Sequence, residues 1–135
     1  MIAALPMYDR AENADAHDAL WTLIRDGLRD ARVAAPVALD RRTDYFDGWG
    51  SPELVLSQIC NLPYRAVFRD RVTLIGAADY GFADLAPGFY TSVFIVRADD
   101  PVTRLADCAD YRFGYSDALS QSGWGGAWAT ARAQG

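Results

Sequence analysis

The chain has 135 residues, enough for one ordinary domain. Its 51% hydrophobic and 23% charged residues are the mixture of a folded globular protein and exclude a disordered tail, and its apolar runs are too short to span a bilayer. The net charge of −5, with 13 basic residues that are all arginine, argues against a nucleic-acid partner, which needs a basic face; a small anionic ligand stays open, because local N–H groups decide that.

Ile2 to Leu5, ended by Pro6, reads as a buried strand. Asn13 or Asp15 then caps a helix whose Ala16, Leu20, Leu23, Ile24 and Leu28 recur at three- and four-residue steps as one apolar face. Val33 to Leu39, interrupted by Pro36, is a weak strand, and Asp40 to Gly50 a loop rich in aromatics and charge. Leu54 to Ile59 is a second strong strand. Ser51-Pro52-Glu53 before it has the chemistry of a helix start, but Asn61-Leu62-Pro63 breaks the pattern too soon for a helix.

A short helix fits Pro63 to Arg69, and β-branched residues make Val72 to Gly76 a strand. Phe89 to Arg97 is the longest β-prone run. Pro101 to Asp107 reads as a short helix, Tyr111 to Tyr115 as a strand, and Ser122 to Ala133 as an alanine-rich helix that Gly125 and Gly126 weaken by roughly 1 kcal/mol each. Strands alternating with helices predict an α/β fold with a mostly parallel sheet. A faint composition break at Ala98-Asp99-Asp100-Pro101 divides the chain into residues 1–98 and 99–135.

The run Ser120-Gln121-Ser122-Gly123 lies between the last predicted strand and the last predicted helix. The opening turn of a helix leaves backbone N–H groups without partners, and the macrodipole adds partial positive charge there. A phosphate-like group binds such a turn without lysine or arginine. An ordinary serine cap is the competing reading. Cys60 lacks the adjacent base and orienting group that a thiol nucleophile needs, since the only histidine, His17, lies on the first helix. One histidine and two distant cysteines give no metal-ligand spacing, and the two thiols read as small buried groups rather than a disulfide. No cofactor is expected. Trp124 and Trp128, four apart, share a helix face that either packs or stays exposed.

Several stretches taken in order resemble the phosphate/phosphite/phosphonate group of ABC-transporter substrate-binding proteins. They are Ala4-Leu5-Pro6-Met7-Tyr8-Asp9, Trp49 with Ser51-Pro52-Glu53-Leu54, and Gln58-Ile59-Cys60-Asn61-Leu62-Pro63-Tyr64. Asp79-Tyr80, Pro87-Gly88-Phe89-Tyr90-Thr91-Ser92 and Val96-Arg97-Ala98-Asp99-Asp100 follow, then Leu105-Ala106-Asp107, Tyr115-Ser116 and Ser120-Gln121-Ser122-Gly123. The resemblance runs over nearly the whole chain. Each motif alone is weak, and their order makes the combination fairly specific.

The resemblance implies a three-layer α/β lobe of the periplasmic-binding-protein kind over residues 1–98, and the beginning of a second lobe over residues 99–135. It implies a small oxyanion as ligand, with Tyr8, Gln58 and Cys60 from the first lobe and Tyr115, Ser120, Gln121, Ser122 and Gly123 from the second. It further implies an ABC permease as partner, a periplasmic location and no catalysis. The chain ends one helix past the serine motif, so it is expected to cover about the first half of such a protein; self-association through the incomplete lobe, a different packing and a truncated gene product are the three readings this leaves open. No export signal is visible, which fits the cytoplasm instead. Two other readings stand beside this one: a cytoplasmic enzyme of similar fold making cofactor precursors, and a self-associating fragment that binds no small molecule.

Overall fold

The computed structural model describes residues 1–134. Contacts gather into two units, Met1–Cys60 with Tyr64–Val72, and Asn61–Pro63 with Thr73 onward. The coarse class is mixed α/β: helices accompany a small sheet of two parallel strands.

In the first unit, strand β1 (Ile2–Ala4) pairs in parallel with strand β2 (Leu54–Ser57). Ile2 stands opposite Leu54, Ala3 opposite Leu56 and Ala4 opposite Ser57, with one irregularity between Ile2 and Ala3. Side chains alternate across a strand. Ala3 and Leu5 are accordingly buried with Trp21, Ala35 and Leu39, while Ile2 and Ala4 are only partly covered.

Helix α1 (Ala14–Asp30) supplies Trp21 to that core, with Ile24 and Leu28 packed against it. The predicted helix is present, but its buried face is rotated. Leu20 and Leu23, expected inside, are 47% and 75% exposed, and the buried stripe runs through Trp21, Ile24 and Leu28. A tryptophan offers more apolar area than any single leucine of the helix, and the three-residue step from Trp21 to Ile24 and the four-residue step on to Leu28 set the face. Asn13 occupies the cap position without capping α1. Its side chain turns back instead, accepting from the Arg10 amide at 2.8 Å and donating to the Tyr8 carbonyl at 3.0 Å.

The far end of α1 closes in a left-handed turn. The Arg32 amide donates to the Arg29 carbonyl and the Val33 amide to the Leu28 carbonyl, both at 2.8 Å, with Arg32 at φ 60°. Glycine ordinarily fills this position, because a Cβ there is disfavoured by about 1–2 kcal/mol. Arg32→Gly is therefore expected to stabilise the first unit by about 1 kcal/mol, read as a higher urea midpoint at unchanged slope.

Val33 to Leu39 forms no strand. Pro36 has no amide to give a ladder, and only the Asp40 amide reaches β1, donating to the Ala3 carbonyl at 2.7 Å. Part of the expected 40–50 loop is helix α2 (Tyr45–Gly50), capped by Asp44, whose carboxylate accepts from the Phe46 and Asp47 amides. Trp49 and Phe68, each 3% exposed, meet edge-on at 5.8 Å within a ring cluster that includes Tyr45 and Phe46. The short helix expected near residue 63 appears as the wide-turned segment Tyr64–Phe68.

The second unit carries less regular structure. The segments 72–76, 89–97 and 111–115, all expected as strands, form none. Ile75, Val93 and Ile95 are 79%, 76% and 86% exposed. High β propensity yields a strand only where a neighbour takes its backbone groups, and no ladder forms among the described residues of this unit. The helix expected over 101–107 is a tight turn at Leu105–Cys108. The chain then closes with a wide turn, Gln121–Gly125, leading into helix α3 (Gly126–Gln134). No helix is long and apolar enough to cross a membrane among the described residues.

Candidate functional site

The serine-rich turn does open a helix. Ser120 is its cap, in extended backbone, and its Oγ accepts the Gly123 amide at 2.9 Å. The Ser120 carbonyl accepts from both Trp124 and Gly125 at 3.0 Å, the second bond spanning five residues and widening the turn. Ser120 thus satisfies one of the opening amides itself. Ser122 is exposed, and its amide has no partner among the described residues. A Cβ on Gly123 would collide with the Ser116 Oγ and come within 2.9 Å of the Ser120 Oγ. Glycine at 123 is what allows both hydroxyls to crowd the turn.

Tyr115 lies beside this turn, its ring 4.8 Å from that of Trp124, and Phe113 lies 6.5 Å from the same indole. Phe94 extends the cluster at 5.8 Å from Phe113. Trp124 is therefore partly covered by rings of its own unit, whereas Trp128 is 48% exposed, with the Arg132 guanidinium 4.8 Å over its ring. Tyr115, Ser120, Gln121, Ser122 and Gly123 all belong to the second unit.

Tyr8, Gln58 and Cys60 belong to the first. Tyr8 is 46% exposed just beyond β1. Gln58 follows β2; its amide donates to the Ala4 carbonyl at 3.2 Å and its own carbonyl accepts the Trp49 indole N–H at 2.8 Å. Its side-chain Oε1 is buried with no hydrogen-bond partner among the described residues. Cys60 and Cys108 are both half-buried thiols.

The first unit also holds a cavity of about 530 Å³ that sequence reasoning missed. Its floor includes Ile2 and Ala4, the β1 residues that face away from Trp21, with Leu54 and Ser57 of β2. Its walls come from the loop after β1 and from residues 40–45. Arg41 ties these walls together. It grips Asp9 at 2.7 and 3.4 Å and Asp18 at 2.9 Å, and donates to the Ala14 carbonyl at 3.4 Å. Those carboxylates hold the Arg41 guanidinium above its ordinary pKa, Asp9 first. The Asp40 carboxyl is held below its ordinary range, chiefly by the Thr43 hydroxyl at 2.6 Å and then by the Arg42 and Thr43 amides. The signal for this cavity was present in the sequence: Asp9-Arg10 and Asp40-Arg41-Arg42 each follow an apolar run, the position where α/β units gather ligand-binding groups.

Compared with known proteins, the chain matches no family model, no curated protein and no solved structure.

Proposed function

We propose that this chain is a binding module for a small oxyanion such as phosphate, phosphite or a phosphonate, and that it carries out no chemistry. On this reading it is related to periplasmic-binding-protein-like molecules, with an ABC permease as its downstream partner. The supporting observation is the entry turn of the last helix. Ser122 offers an exposed hydroxyl there and an amide with no partner among the described residues, and Gly123 leaves room for the Ser116 and Ser120 hydroxyls alongside. The first-turn amides and the helix dipole favour negative charge at such a place. Ser120 is already committed to the Gly123 amide, so Ser122 is the principal side-chain donor.

A hydrogen bond to a charged acceptor contributes about 1.5–3 kcal/mol, so Ser122→Ala is expected to weaken binding of the preferred oxyanion at least about tenfold. Cys60→Ala is expected to weaken it less. Titration calorimetry with phosphate, phosphite and methylphosphonate checks both; equal effects of the two substitutions would remove Ser122 from the role given to it.

A further inference from the structure

We propose that the cavity in the first unit is a second and separate binding site, for a small organic acid with one carboxylate and an apolar body. The cavity's size, about 530 Å³, falls within the range of small-molecule sites. Its charged lining is formally balanced, with Arg10, Arg41 and Arg42 facing Asp9, Asp40 and Asp44. The balance is not symmetric in what remains to be bonded. Asp9 is held by Arg41, Asp40 by the Thr43 hydroxyl and two amides, and Asp44 by the two amides of the α2 cap. Arg41 is spent on Asp9 and Asp18.

Arg10 and Arg42 are different. Both are exposed at the cavity, and neither guanidinium has an ion pair or hydrogen bond among the described residues. A guanidinium is a planar fork that fits a carboxylate bidentately. Two arginines whose guanidinium groups have no hydrogen-bonded partner among the described residues, lining one cavity with Ile2, Ala4 and Leu54, suit a ligand with one anionic end and one apolar end. The carboxylates of Asp40 and Asp44 remain close by as fixed negative charge, which disfavours a dianion and separates this site from the oxyanion turn.

The test uses the whole chain with benzoate, butyrate and inorganic phosphate as probes. Binding is followed by calorimetry and by amide shifts in a ¹⁵N-labelled sample. Benzoate and butyrate are expected to saturate and to move amides around residues 4–6 and 41–45. The double substitution Arg10→Gln, Arg42→Gln is expected to weaken both at least tenfold without lowering the melting temperature, since neither side chain is hydrogen-bonded or ion-paired among the described residues. Ser122→Ala should leave their affinity unchanged, which keeps this site's outcome apart from that of the turn. Failure of both carboxylates to saturate, shifts confined to other residues, undiminished binding in the double variant, or displacement of benzoate by equimolar phosphate would each overturn the proposal.

Discussion

Trp21→Ala is expected to lower the unfolding free energy of the first unit by about 3–5 kcal/mol. Trp21 is 1% exposed, the most deeply buried large side chain among the described residues, and it fills the space between Ala3, Leu5, Ala35 and Leu39. Ala3 and Ala35 beside it are too small to fill the void, and a void that its surroundings do not close adds to the cost. Small domains are stable by only about 5–15 kcal/mol, so the loss takes a large share of the total. Urea denaturation followed by far-UV circular dichroism measures it. Trp21→Phe is the informative companion. The Trp21 indole N–H is buried with no partner among the described residues. Phenylalanine removes that unsatisfied donor while keeping most of the ring, so its cost should fall well below that of alanine.

Trp49→Ala is expected to cost a similar 3–5 kcal/mol, but for a different combination of reasons. Trp49 packs among Tyr45, Phe46 and Phe68, with ring centroids at 5.1, 5.1 and 5.8 Å. Its indole N–H also donates to the Gln58 carbonyl at 2.8 Å and to the Ser57 Oγ at 3.2 Å. That bond ties α2 to the end of β2. Trp49→Phe therefore strips a made hydrogen bond as well as part of a ring, and should cost about 1–2 kcal/mol more than Trp21→Phe. Equal losses from the two phenylalanine substitutions would show that the indole bond contributes nothing net.

The first unit was largely legible in the sequence, and the reason is local agreement. Ile2 to Leu5 and Leu54 to Ser57 are apolar, short and bounded by Pro6 and Pro52, and both form strands that find each other. The first helix was legible as a helix. Its face was misplaced because three- and four-residue spacing fits two adjacent stripes, and only the packing against Ala3 and Leu39 selects the one through Trp21. Helix α2 was hidden because Tyr45-Phe46-Asp47-Gly48-Trp49-Gly50 has two glycines and three aromatics, poor helix formers whose place is fixed by the Asp44 cap and the ring cluster.

The second unit was legible at its end and not in its middle. The cap Ser120 and the small residues after Gly126 gave a helix start that the structure contains. The three β-prone runs were read from residue type alone. Val93, Phe94 and Ile95 have the side chains of a strand, but a strand is a relation between two segments, and propensity carries no information about the second. The serine turn was legible for the same local reason as the cap. For the arginine-lined cavity the sequence held only a partial signal, charged residues after two apolar runs; that Asp9, Arg41 and Asp18 meet there follows only once β1 and α1 have placed them.

The most direct measurement is a titration of the ¹⁵N-labelled chain with phosphite and methylphosphonate, watching the amides of Gln121, Ser122 and Gly123. Saturable shifts centred on those three residues, lost in Ser122→Ala, are the expected result. Shifts that never saturate, or that leave those amides still while others move, would contradict oxyanion binding at the turn.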